Sequence, residues 1–102
     1  LFRSRLLRLR VMSAQTSEPT TACFSVTAHT APGVFPRILE LFAKRGLVPD
    51  RFDARRDETG LTVDIAVHGM ELELARYIGR CMNQIFEVDR VLVSEKRYAD
   101  VA

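Results

Sequence analysis

The residues of this chain that could carry chemistry are two histidines, two cysteines and one Pro-Gly corner. His29 and His68 lie far apart in the sequence, and neither has a nucleophile motif around it. Cys23 and Cys81 lack CxxC spacing, which favours buried free thiols in a reducing cytoplasm over a disulfide or a metal site. The histidines are therefore interpreted as surface or interface residues. No catalytic group, cofactor or metal ligand is predicted.

The Pro-Gly corner stands in HTAPGVFPRILELFAKRG, residues 29 to 46. Apolar residues after the corner recur at three- and four-residue steps, which predicts a helix that ends at Gly46. A helix N-terminus presents unpaired N–H groups and partial positive charge that suit a carboxylate. Gly33 lacks a Cβ and permits close approach, while Pro32 fixes the direction in which the chain enters the helix. Two interpretations stay open: a ligand or interface site, and a helix start that needs tight packing.

Four other segments complete the predicted fold. ACFSVTAH, from Ala22, and LTVDIAVHG, from Leu61, alternate apolar and polar residues as half-buried strands do. LVPDRFDARRDETG predicts a weaker strand, because Pro49 cannot donate to a ladder. MELELARYIGRCMNQIF has helical spacing, and VDRVLVSE is a short last strand. With right-handed crossovers, this order predicts an α+β, ferredoxin-like βαββαβ fold, a four-stranded antiparallel sheet with two helices on one face.

The positive charge of the chain is concentrated at its beginning. The formal net charge is +2, but four arginines precede the first acid, Glu18, and without them 11 basic residues face 13 acidic ones. A slightly acidic body has no footprint for neutralising phosphates, and the outward strand positions lack an aromatic pair, so nucleic-acid binding is not predicted. No run reaches the roughly 20 apolar residues of a membrane span, so no membrane partner is predicted.

The chain divides into three predicted parts. Residues 1–21 are expected to be a disordered lead-in. Within it, residues 1–11 are interpreted as an over-extended translation start before Met12, an Arg-rich presequence or a membrane-surface helix. Residues 22–95 form the domain, and residues 96–102 a C-terminal tail. A domain of this size leaves much of its surface exposed, so self-association is expected.

Three features together resemble an ACT domain over about residues 22–95: the order of elements, the PGV at 32–34 followed by ILELFAKRGL, and the V-x-x-V from Val88 to Val91. ACT domains are small regulatory modules that commonly sense amino acids and pair side by side through their sheets and first helices. The resemblance implies a non-catalytic, cytoplasmic homodimer. It also implies an effector-binding or dimer-interface loop made of Thr30, Ala31, Pro32, Gly33, Val34, Phe35 and Ile38.

One position in this loop departs from the family pattern. ACT domains typically have Asn or Asp two residues before the proline, and here that position is Thr30. A threonine offers neither the paired groups of an amide nor a charge for an ammonium group. The substitution favours a contact with a twin subunit over an effector.

The lone domain length is similar to that of the short regulatory subunits of acetohydroxyacid synthase, an enzyme of branched-chain amino-acid synthesis. This resemblance implies a catalytic large subunit as partner and an amino acid as candidate effector. The alternative is a free-standing ACT module with another target. A remote alternative is an acylphosphatase-like enzyme, because Arg37 follows Gly33 by four residues, although LVPDRFDARR lacks the asparagine that such catalysis requires.

Overall fold

The computed structural model describes residues 20–97. Its elements, in chain order, are β1 (Thr20–Ala28), α1 (Val34–Ala43), β2 (Arg51–Asp57), β3 (Gly60–His68), α2 (Leu72–Asn83) and β4 (Val88–Arg97). The strands form one antiparallel sheet in the order β2-β3-β1-β4, so the predicted ferredoxin-like arrangement is confirmed. The interpretations of residues 1–19 and 98–102 concern parts of the chain that lie outside the described residues.

The two central strands carry the core. β1 and β3 pair so that Phe24 lies opposite Ile65 and Val26 opposite Val63, and all four side chains are buried. This is the inward set that the alternating sequence predicts. Both helices bury their apolar stripes in the same cluster, with Val34, Ile38 and Phe42 from α1 and Ala75, Ile78 and Met82 from α2. The helices therefore cover one face of the sheet, and the other face is left open.

The two helices divide this face between them. α2 packs on β4 and β1, which leaves the β3 and β2 side of the sheet for α1. On the open face, the strand positions of residues 20–97 carry no Phe, Tyr or Trp. The side chains there are small or charged, with Leu92 as an exposed apolar exception.

The outer limits of the sheet differ from the predicted ones by two residues at each end. β1 begins at Thr20 and not Ala22, and β4 continues to Arg97, where residues 96 and 97 pair with residues 21 and 20. Thr21 is completely buried, and its hydroxyl lies 2.8 Å from Nδ1 of His68. Cross-strand pairing thus extends the sheet into polar and charged residues that have no strand pattern of their own.

The turn between β2 and β3 is organised by Asp57. Its Oδ1 accepts hydrogen bonds from the Thr59 hydroxyl at 2.6 Å, the Thr59 amide at 2.8 Å and the Gly60 amide at 3.2 Å. These bonds, with the Thr59 hydroxyl contributing most, lower the pKa of the Asp57 carboxyl. The turn therefore holds Asp57 as a carboxylate.

Candidate functional site

The corner between β1 and α1 is tied to the turn that leads from α2 into β4. The amide of His29 donates to the carbonyl of Glu87 at 2.8 Å. The His29 Nε2 lies 3.0 Å from Oδ1 of Asp89, and the Arg37 Nη1 lies 3.3 Å from Oε1 of Glu87. These three contacts hold the corner in place from one side, while its other side faces solvent.

The first turn of α1 leaves two backbone donors without an acceptor. Gly33 is the N-cap, and no side chain caps the helix. The Val34 amide donates to the carbonyl of Ala31 at 3.4 Å, and Pro36 has no N–H group. Within residues 20–97, no acceptor is found for the amides of Gly33 and Phe35. A carboxylate or a carbonyl from outside the protomer can accept from both.

Gly33 has an ordinary backbone conformation and some free space. Its φ of −88° and ψ of −3° are accessible to any residue. A Cβ at this position would lie 3.6 Å from the Arg37 guanidinium, which is normal van der Waals contact with a flexible side chain. Nothing in the protomer therefore requires glycine at residue 33. The close approach that the sequence suggests applies only to a group from outside the protomer.

The seven predicted loop residues fall into two groups. Thr30 and Pro32 are exposed, whereas Ala31, Gly33 and Phe35 are half-buried, so these five are accessible at the corner. Val34 and Ile38 are 0% exposed in the core. The helix turns these two side chains toward the sheet, so they are not part of the protomer's outer surface, and their role in an effector or self-pairing site stays a prediction.

The apolar surface that does face outward on α1 lies beside the buried stripe. One side of α1 faces α2. On this side Arg37 pairs with Glu87, and Arg45 stacks on Tyr77 at 5.1 Å. Phe35 and Leu39 lie on the opposite side, toward β2. Leu39 is 41% exposed, and Val48, in the segment after the helix, is 84% exposed.

We call the residues Phe35, Leu39 and Val48 the outer flank of α1. Phe35 and Leu39 recur at the same helical spacing as the core residues of α1, and no sequence pattern distinguishes Val48. Exposed and buried apolar residues of α1 differ in their position on the helix. Residues 34, 38 and 42 form the centre of the apolar stripe, and residues 35 and 39 form its margin.

A protein-family model described as an ACT-like domain matches residues 14–99. The chain belongs to the ACT-like domain family. Among solved structures, the solution NMR structure of the ACT domain from GTP pyrophosphokinase of Chlorobium tepidum is similar, with a TM-score of 0.64 and 9% identity. The match covers 74% of this chain and 86% of that domain, and it supports the same fold. A search of the curated proteins found no match.

The corner lacks two features that an acylphosphatase-like reaction would need. ACT domains are generally regulatory modules without catalytic activity. In this ACT-like domain, the Arg37 guanidinium that an acylphosphatase-like reaction would need is paired with the carboxylate of Glu87. β2 contains no asparagine. Both observations argue against that remote alternative.

The histidines and cysteines of the ACT-like domain lie in separate places. His29 pairs with Asp89 at the corner, whereas His68 meets Thr21 on the open sheet face. Cys23 and Cys81 are free and half-buried rather than fully buried. Within residues 20–97, no three His, Cys, Asp or Glu side chains are grouped as metal ligands. No helix in this part of the chain has the length and apolar character needed to cross a membrane.

Proposed function

We propose that this ACT-like domain works as a dimeric, non-catalytic regulatory protein, in which the β1–α1 corner and the outer flank of α1 meet a second copy. The observation that carries this proposal is the corner itself. It combines two backbone donors without an acceptor among residues 20–97 and a glycine that the protomer does not require. When another backbone or a ligand approaches the helix start, the two amides can donate hydrogen bonds to it, and the missing side chain of Gly33 leaves room for it.

The outer flank supports a partner at the same place. Leu39 and Val48 are two of only five large apolar side chains that are exposed within residues 20–97. Leu39 lies with Phe35 on the side of α1 away from α2, and Val48 lies in the segment that joins α1 to β2. Side-by-side pairing would remove this apolar surface from water, which favours association at about 25 cal/mol per Å² buried. It would also bring two β1–α1 corners to one interface.

The proposed effector is an amino acid whose carboxylate accepts hydrogen bonds from the amides of Gly33 and Phe35. Thr30 is exposed beside them and can donate or accept one hydrogen bond. Regulation would follow from linkage, because an amino acid that binds the paired arrangement better shifts the equilibrium by that difference in affinity.

The proposed target is an amino-acid biosynthetic enzyme in the cytoplasm, with the acetohydroxyacid synthase large subunit as first candidate. Support for an amino-acid biosynthetic target comes from membership in the ACT-like family, whose modules commonly sense amino acids. A free-standing ACT module with another target is the second candidate. Co-purification with a candidate large subunit distinguishes the two.

The experiment that tests effector binding is a thermal-shift screen of the full chain with each of the common amino acids, followed by calorimetry on any hit. Gly33→Ala adds a methyl group at the corner without a clash inside the protomer. Ser94→Thr is the matched control, since it adds a methyl group on the open sheet face.

We expect one amino acid or one chemically related group to stabilise the wild-type chain. The Gly33→Ala variant should bind it about tenfold more weakly, because close approach to two backbone donors is obstructed. Ser94→Thr should bind it as the wild type does. If no amino acid shifts the melting temperature, the effector role is lost and only the role in protein pairing stands.

A further inference from the structure

β4 is an edge strand whose surface the proposed function does not use. The sheet order ends at β4, so its outer backbone groups face no other strand within residues 20–97. Its centre is apolar, with Val91 and Val93 half-buried on the helix side and Leu92 54% exposed on the open side. An unpaired strand edge with apolar side chains is a template on which another strand can pair.

The helix α2 overhangs this edge. A Cβ on Gly79 would lie 2.6 Å from Cγ2 of Val93, so the helix backbone lies directly against the strand. A shallow groove of about 240 Å³ follows this contact. Val91 and Val93 line the groove together with Gly79, and Arg76, Arg80 and Asn83 extend over it from the helix.

Cations lie on both sides of the same edge. Arg76 and Arg80 are on the helix side, and Arg90 and Lys96 are on the open side, opposite Thr27 and Thr21 in the register. Within residues 20–97, none of these four forms an ion pair, although Arg80 stacks on Tyr77 at 5.9 Å. We call these four cations and the apolar residues 91–93 the β4 edge strip.

The acids near this strip do not balance it. Glu87 is already paired with Arg37, so the carboxylates of the strand itself are Asp89, which contacts the His29 ring, and Glu95. Glu73, on the same helix as Arg76, forms no ion pair with a described residue. Residues 20–97 as a whole hold 11 basic and 11 acidic residues, whereas β4 carries the three cations Arg90, Lys96 and Arg97 against the two acids Asp89 and Glu95.

We propose that the β4 edge strip binds an extended acidic segment of a partner protein, which adds a strand to the sheet beside β4. Backbone hydrogen bonds to β4 would supply affinity, and alternate side chains would supply specificity. Carboxylates on one side of the added strand meet Arg76 and Arg80, and those on the other side meet Arg90 and Lys96. Apolar residues between them cover Leu92 and the groove.

Charge favours this occupant over the segment that precedes β1 and over a second copy. Residues 1–11 contain four arginines and no acid, and residues 12–19 contain only Glu18. A second copy that paired through β4 would bring the same four cations against these four. The assignment goes beyond the proposed function and does not depend on it, because the corner and the outer flank belong to α1 and its surroundings.

The probe for this assignment is a capped, fluorescein-labelled nine-residue peptide in which Glu-Glu and Val-Val pairs alternate, so that each side of the strand carries both residue types. It is titrated with the full chain and followed by anisotropy. The test variant is the double charge reversal Arg76→Glu/Arg80→Glu. The matched control is Lys44→Glu/Arg56→Glu, which reverses two exposed cations away from β4. Circular dichroism checks the fold of each, and Arg76→Gln/Arg80→Gln replaces the test variant if the charge reversal unfolds the chain.

We expect the test variant to bind the peptide at least about tenfold more weakly, because the charge pairs across the strip become repulsive. The control should stay within about twofold of the wild type, as exposed charges remote from a contact contribute little. Methylation of alternate peptide amides should abolish binding by removing the donors of the added strand. Replacement of every glutamate by glutamine should weaken it about tenfold.

Three outcomes would overturn the assignment. The first is unchanged affinity in the Arg76/Arg80 variants. The second is equal binding of the glutamine or the methylated peptide. The third is tighter binding of a nine-nucleotide oligothymidylate than of the acidic peptide, which would make the strip a nucleic-acid surface.

Discussion

A Cβ on Gly79 would lie 2.6 Å from Cγ2 of Val93 and 3.6 Å from Cγ1 of Val91. The helix α2 therefore lies against the edge strand β4 at a distance that only glycine permits without rearrangement. This contact closes the core beneath the edge of the sheet and also forms the bottom of the groove in the β4 edge strip.

The Gly79–Val93 contact predicts the effect of a single methyl group. Gly79→Ala should lower the free energy of unfolding by about 1–3 kcal/mol through overpacking, less the roughly 1 kcal/mol that alanine gains over glycine in a helix. In a Val93→Ala background the same substitution should cost less, because the clashing methyl is gone. Urea unfolding of the four proteins of this cycle measures the coupling, and strictly additive effects would contradict the geometry.

Gly46 and Gly60 both have a positive φ, but a side chain would clash with a neighbouring atom only at Gly60. Gly60 has a φ of +143°, and a Cβ there would lie 2.5 Å from the carbonyl oxygen of Ala28. Gly46 has a φ of +71° with no atom within 4 Å of the added Cβ. Gly46→Ala should cost about 1 kcal/mol for the left-handed conformation, and Gly60→Ala clearly more. Similar losses of stability in thermal unfolding of both variants would refute the clash.

Asp57 predicts a pH dependence with a definite sign. Its pKa in the folded state lies below the ordinary value of 3.8, because the turn donates hydrogen bonds to the carboxylate. The stability it contributes is present above the ordinary pKa and is lost as the pH falls through the lower, folded value. The difference in unfolding free energy between wild type and Asp57→Ala should therefore shrink below pH about 4. A difference that stays constant through that range would show that Asp57 is not stabilised as a carboxylate.

The buried stripe of α1 predicts unfolding rather than dissociation when it is disturbed. Val34→Asp places a charge where the side chain has no exposed surface, so the variant should lose its circular dichroism signal and cooperative melting. Ile38→Ala should fold but lose about 2–5 kcal/mol. A folded, monomeric Val34→Asp protein would instead support the original surface assignment for that residue.

The fold could be predicted because the strongest sequence patterns coincide with the best-buried elements. Alternation in residues 61–67 and the helical spacing of residues 34, 38 and 42 each match the observed core. The strand ends at Thr20 and Arg97 could not be predicted in the same way. They are fixed by cross-strand partners and not by their own polar and charged residues.

The candidate site was predictable in place but not in detail. The Pro-Gly pair located the helix start, yet sequence spacing alone could not separate core residues from margin residues on an amphipathic helix. The spacing therefore does not show that Val34 and Ile38 are buried in the protomer, nor that Leu39 and Val48 are exposed. The pairing of Arg37 with Glu87 joins residues 50 positions apart, and no local pattern signals it.

Pairing of two chains through the corner and the outer flank of α1 is measured most directly by light scattering coupled to gel filtration. The wild type should have twice the protomer mass of 11.6 kDa. Leu39→Asp should have the single mass with an unchanged circular dichroism spectrum, and Leu92→Asp, a matched substitution of an exposed leucine on the open sheet face, should remain a dimer. A wild-type protein at the mass of one protomer, or a Leu39→Asp variant that stays at the double mass, would contradict the account.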